Sequence, residues 1–118
     1  MDEAFHYPPE LLSLLVQTIP RLCRTKPQVF LFFEGAGVGD SVRQPFEQRW
    51  LADKVGISKY EIAEGILTQL NKLGDPMIRQ RREIVKRVTE FEEFTTCWDG
   101  DRLIAEGLVA KVRNIVNV

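Results

Sequence analysis

Ser58-Lys59-Tyr60-Glu61-Ile62-Ala63-Glu64-Gly65-Ile66-Leu67-Thr68-Gln69-Leu70-Asn71-Lys72-Leu73-Gly74-Asp75-Pro76 is the stretch on which the fold turns. Ser58 with Glu61 three residues later forms a capping box, in which each side chain satisfies a backbone N–H left over at a helix start. Ile62, Ala63, Ile66, Leu67, Leu70 and Leu73 then recur at helical spacing, an apolar stripe that must be buried against other elements. Gly74 supplies a stop and Pro76 forbids continuation. Start, face and stop agree, so this segment is expected to be the central helix of a helical domain.

Working outward, Pro8 and Pro9 suit a helix start. Leu11, Leu12, Leu14, Leu15 and Ile19 give the following segment a broad apolar face to about Arg24, with a bend near Thr18 imposed by Pro20. Residues 29–33 (Val-Phe-Leu-Phe-Phe) suit a buried strand or a short buried helix, and periodicity alone does not choose. The helical reading is preferred, with residues 35–39 closing that helix. Pro45 is the expected first residue of the next, turning Phe46, Trp50, Leu51 and Val55 inward and ending at Gly56. Beyond the central helix, Asp75 and Pro76 open a helix to about Phe94, buried along Ile78, Ile84, Val85, Val88 and Phe91. Residues 95–100 make a break, with Trp98 as a packing anchor. Asp101 caps a last helix buried along Ile104, Leu108, Val112 and Ile115, which reaches Val118 without a stop signal, as in a fragment of a longer chain. The expected fold is all-α, a single domain over residues 1–118 made of a compact bundle of five to six short helices.

Composition narrows the function classes. The 118 residues are 44% hydrophobic and 28% charged with a net charge of −1, a globular balance without a global field. The apolar run at 29–33 is far too short to cross a bilayer, and residues 1–7 carry two acids and no leader pattern. A cytoplasmic location with no membrane partner is expected. Cys23 and Cys97 are expected to be buried, reduced thiols, and with the lone His6 they lack metal-ligand spacing. No metal and no cofactor are expected.

Four features bear on chemistry. The run Gly35-Ala36-Gly37-Val38-Gly39-Asp40-Ser41 follows an apolar segment as a phosphate loop would. A P-loop requires Lys before the Ser, where Asp40 stands, and the dinucleotide motif requires Gly-x-Gly-x-x-Gly. A small-ligand pocket there is the weakest of the readings. Residues 51–73 match a helix-turn-helix pattern, with Lys59, Tyr60, Gln69 and Lys72 outward on the second helix. Glu61 and Glu64 on that face would repel phosphate, and a capped helix after a tight turn is common in any bundle. In the segment after Pro76, Arg79, Arg82 and Lys86 share a face that Arg87 flanks, a contact surface for phosphate or an acidic partner. Glu83 stands four residues from Arg79 and Arg87, and Glu90 four from Lys86, so the same charges can pair on a solvated surface. Arg81 points to the apolar side, where an ion pair with Glu92 or Glu93 is one expectation. Finally, catalysis needs a nucleophile with a base in reach or carboxylates paired in a cleft. His6, Glu92-Glu93, Asp99 and Asp101 make neither, so no catalytic residues are expected.

Several strings together carry a resemblance: Tyr7-Pro8-Pro9-Glu10-Leu11, Leu31-Phe32-Phe33 with Gly35-Ala36-Gly37-Val38, Lys59-Tyr60-Glu61-Ile62, the run from Arg81 to Val88, Phe91-Glu92-Glu93-Phe94 with Cys97-Trp98, and Gly107-Leu108-Val109-Ala110 through Val118. The chain resembles the N-terminal helical region of bacterial restriction-endonuclease-like proteins of the Mrr type. In those proteins a charged connector and a nuclease domain follow. At the level of fold it is also similar to the death-fold-like adaptor domains of bacterial conflict systems. The resemblance implies a non-catalytic adaptor or oligomerisation module linked to a restriction-type or antiphage nuclease. Its contact surface would be Arg79, Arg82, Lys86, Arg87, Glu90 and Glu93, and its partner a second copy or another helical adaptor. The alternative is a DNA-targeting domain using Lys59, Tyr60, Gln69, Lys72, Arg79 and Arg82.

Overall fold

The computed structural model describes residues 7–116 and contains six α-helices, with no strand among the described residues: α1 (Pro9–Leu22), α2 (Lys26–Gly35), α3 (Asp40–Ala52), α4 (Lys59–Leu73), α5 (Ile78–Thr89) and α6 (Asp99–Val116). No helix among them is long and apolar enough to cross a membrane. The all-α expectation holds, including the helical choice at residues 29–33. That helix opens with a capping box that the pattern Thr25-x-x-Gln28 already contains: Thr25 Oγ1 accepts from the Gln28 amide, and the Gln28 side chain accepts from Thr25 N–H.

α4 is central in space as well as in sequence. Ser58 Oγ accepts from Glu61 N at 3.0 Å, and Glu61 Oε1 accepts from Ser58 N at 2.8 Å. Ile62, Ala63, Ile66, Leu67 and Leu70 are buried, and the helix packs against α1, α2, α3 and α5. Leu73, placed on the stripe by periodicity, is exposed because the helix ends there at Gly74, whose φ of +73° is open to glycine. α1 lies between α4 and α6 and buries Leu11, Leu15, Ile19 and Leu22. It continues through Pro20 and stops at Leu22, two residues short of the expected end.

α3 and α4 approach closely at Gly65. A Cβ built on Gly65 would collide with Phe46 Cε1, so the missing side chain is the seat of the Phe46 ring. α3 itself differs from expectation. It starts at Asp40, and Pro45 falls inside it. Val42 and Arg43 are its buried residues, because Arg43 closes the preceding turn: its Nε donates to Val38 O at 2.8 Å and its terminal nitrogens meet Asp40 and Glu47, each at 2.6 Å. Leu51 (62% exposed), in the last turn of α3, and Val55 (90%), beyond its end at Ala52, face solvent instead of the core.

The other helix boundaries also move for reasons visible in their hydrogen bonds. Asp75 and Pro76 form a short 3-10 turn (Asp75–Met77) without a side-chain cap, and α5 begins after it. α5 stops at Thr89, before the expected Phe94, since Arg113 of α6 donates to Thr89 O at 2.6 Å and Phe91 O at 3.3 Å and so satisfies the carbonyls of a helix end. α6 begins at Asp99; Asp101 lies in its first turn and pairs with Arg21 at 2.9 Å. Its buried stripe is Ala105, Leu108, Val109 and Val112, leaving Ile104 exposed. Trp98 is half exposed and anchors by contact with Arg24: its indole N–H donates to Arg24 O at 3.0 Å, and the Arg24 guanidinium lies 4.7 Å from its ring centroid.

Arg81 is fully buried and takes a different partner from the one expected. One of its guanidinium nitrogens donates to Leu70 O at 2.6 Å and Gly74 O at 2.8 Å, the carbonyl end of α4. Glu92 and Glu93 are exposed beyond the end of α5 and pair with no described arginine. Tyr7 completes the junction: its hydroxyl donates to Arg81 O at 2.9 Å, while its backbone N–H donates to Asn71 Oδ1 and its carbonyl accepts from Asn71 Nδ2. Burial pushes the Tyr7 phenol well above its ordinary pKa, against the opposing pull of Arg81, so it stays a neutral donor.

Two stability outcomes follow. Arg81→Met is expected to lower unfolding free energy by about 2–4 kcal/mol in urea titration, since the charged donor to two buried carbonyls is lost; equal stability would show that the α4 terminus does not need it. Gly65→Ala, although favourable to an isolated helix, is expected to cost about 1–3 kcal/mol through overpacking against Phe46. A raised melting temperature in that variant would contradict the seat.

Candidate functional site

On α5, burial of Arg81, Ile84, Val85 and Val88 turns Arg79, Arg82 and Lys86 outward, and all three are exposed. Arg87 is held by Glu83 at 3.0 Å and reaches over the end of α2, where a Cβ on Gly35 would lie 3.1 Å from its Nη1. That is the one α5 charge pair formed as expected; Glu83 does not pair with Arg79, nor Glu90 with Lys86. Just past the helix, Phe91 and Phe94 meet edge to face at 5.1 Å. Between Phe91 and Phe32 of α2 lies an open groove of about 370 Å³, rimmed by Arg87, Glu90, Glu92 and Glu93. The six expected surface residues are thus all exposed, Arg79, Arg82 and Lys86 along α5 and Arg87, Glu90 and Glu93 at the rim of the groove.

The residues of the DNA reading are dispersed in their roles. Lys59 Nζ donates to Cys23 O at 2.8 Å and closes the end of α1. Tyr60 lies beside Arg21, 6.0 Å from ring centroid to guanidinium carbon. Gln69 and Lys72 are exposed and line a shallow cleft of about 480 Å³ with Phe46, Arg49, Glu61 and Glu64. Residues 53–58 separate α3 from α4, longer than the three or four of a helix-turn-helix turn. The cap N–H of Ser58 holds the Glu61 carboxyl below its usual range, with Arg49 at 3.8 Å assisting, so this face keeps its negative charge at neutral pH.

At residues 35–39 the backbone amides serve the fold. Ala36, Gly37 and Val38 N–H donate to carbonyls of Phe32, Phe33 and Glu34, and the Gly37 and Val38 carbonyls accept from Gln80 and Arg43. A phosphate-binding loop needs those amides free, and here they close α2 as the glycine-rich pattern suggested. Among the described residues, no three His, Cys, Asp or Glu side chains converge as metal ligands. His6 lies outside the described residues. Of the remaining acids considered for catalysis, Asp99 is exposed in the first turn of α6, and Asp101 is engaged with Arg21.

Cys23 and Cys97 are both buried free thiols. Burial pushes Cys23 from 9.0 up to about 12, against the pull of Lys59, and its sulfur lies 3.7 Å from Gln28 O. Burial also raises Cys97, with Asp101 adding to the effect. No family model, curated protein or solved structure matches the chain.

The raised Cys23 value has a pH consequence. Above 9.0 the unfolded thiol loses its proton while the folded one keeps it, so the folded state binds more protons and stability falls as pH rises toward 12. Chemical unfolding between these limits should show this decline, shallower in Cys23→Ala. At neutral pH, thiol reagents should label the native protein only at its opening rate; rapid labelling of both thiols would contradict their burial.

Proposed function

We propose that the chain is a non-catalytic interaction module, an adaptor or oligomerisation domain that gathers copies of a linked effector. The observation that carries this reading is the strip on α5 and its sequel, exposed basic residues Arg79, Arg82 and Lys86 leading to exposed Glu90 and Glu93 beside an apolar groove. A surface with both signs and an apolar floor suits a protein partner, because charge fixes orientation while apolar contact supplies affinity. The sequence resemblance makes a restriction-type or antiphage nuclease the expected effector. Gathering such domains raises their effective concentration to about the millimolar range without altering any catalytic residue.

The DNA-targeting alternative competes for the same basic row, with Gln69 and Lys72 added. Sedimentation across a concentration series, run beside a salt-dependent titration of duplex DNA, separates the two. The adaptor reading expects association with itself or a helical partner, weakened about tenfold or more by Arg82→Glu or Glu93→Lys, and no DNA binding that collapses with salt. A monomer that binds duplex DNA tightly at low salt and loses it steeply with added salt would overturn the adaptor reading.

A further inference from the structure

Two features remain unused by the fold. One is the corner after α3, where Leu51 and Val55 project into solvent. The corner is shaped from within. The Lys54 ammonium lies 5.0 Å from the Trp50 ring centroid, Lys26 of α2 donates to Lys54 O, and the Asp53 carboxylate accepts from Val55 N–H. Its acid is thus turned into the loop, while two ammonium groups flank the apolar tip, neither in an ion pair among the described residues. The other feature is the groove between Phe32 and Phe91. Its rim carries Glu90, Glu92 and Glu93, which also make no ion pair among the described residues, and its one cation, Arg87, is already held by Glu83.

These features lie on opposite flanks of α2. Phe30 faces the corner, its ring 6.1 Å from Trp50, whereas Phe32 lines the groove. Two residues apart on a helix, they point in nearly opposite directions. A corner therefore cannot enter the groove of its own chain. It can reach the groove of another.

We infer that this protein associates head to tail with further copies of itself, the apolar 51–55 corner of one copy seated in the Phe32–Phe91 groove of the next. Val55 and Leu51 meet the aromatic floor, and Lys54 and Lys26 face the carboxylate rim. The contact is heterologous, so each added copy leaves one corner and one groove open for the next. The inference rests on the adaptor reading and names its partner as a second copy.

The test uses mass in solution for the whole chain, from low concentration to about 1 mM, since so small a contact is expected to dissociate on the order of 100 µM. The wild type should grow past the dimer, less so at high salt. Val55→Asp and the double variant Glu92→Lys/Glu93→Lys should each remain monomeric, with unchanged circular dichroism and melting because all three residues are exposed. Mixed together, they should form a one-to-one complex, since each retains the half that the other lacks. Lys54→Glu serves as a second corner variant, and restored growth when it is combined with the Glu92→Lys/Glu93→Lys changes in one chain supports the charge pairing. A wild-type mass that stops at the dimer overturns the head-to-tail arrangement, as does growth that survives Val55→Asp, or variants that fail to complement. A wild type monomeric throughout overturns the inference while leaving the adaptor reading with a different partner; tight salt-sensitive DNA binding by that monomer removes the adaptor reading as well.

Discussion

The burial of the Arg81 guanidinium against the carbonyl end of α4 is the constraint that the rest of the structure accommodates. A helix end buried in a core leaves carbonyls with no partner inside the helix, together with the negative end of its dipole. Leu70 O and Gly74 O are such groups, and Arg81 meets both from the next helix. That fixes α5 against α4 in rotation and height, and Tyr7 locks the segment before α1 onto the same junction through Arg81 O and Asn71. The device recurs around the molecule. Lys59 closes α1 at Cys23 O, Lys26 reaches Lys54 O just beyond α3, Arg113 closes α5, and Arg24 takes Thr96 O and Cys97 O before α6. Long cationic side chains thus serve here as terminal caps.

That use of charge explains which parts of the sequence were legible. Elements whose start and face are encoded locally read true: the capping box at Ser58 and Glu61 and the buried stripe of α4 appear as expected. The capping box at Thr25 was equally visible, and it would have settled the helix at residues 29–33 without recourse to periodicity. Boundaries set by distant residues did not read. α5 stops where Arg113, more than twenty positions later, meets its carbonyls, and no local signal marks that point. α3 starts at Asp40 because Arg43 ties the turn before it, whereas Pro45, a stronger local signal, falls inside the helix.

The candidate surface was legible on its basic side and illegible on the other. A helix wheel places Arg79, Arg82 and Lys86 outward once the buried stripe of α5 is known. It cannot show that Lys59, on the helix proposed to read DNA, is committed to Cys23 O, or that Val55 projects from a loop because α3 has already ended. Nor can it show that Phe32 and Phe91, far apart in the chain, line one groove. Counting cations therefore overstates the positive surface available to a partner, while counting apolar residues understates the exposed one.

The pairing of α1 with α6 carries a consequence for the life of the chain before it is whole. Arg21 and Asp101 meet across eighty positions, and the apolar side of α1 is covered in large part by α6. At about 5–20 residues per second of synthesis, the first helix leaves the ribosome roughly 4–16 s before its partner exists. For the first part of that interval α4 does not yet exist either, so Leu11, Leu15 and Ile19 depend on transient contacts or a chaperone, and afterwards on α4 until α6 follows. α1 is therefore among the last of these helices to be fully enclosed, and its apolar face is the one that waits longest for its cover.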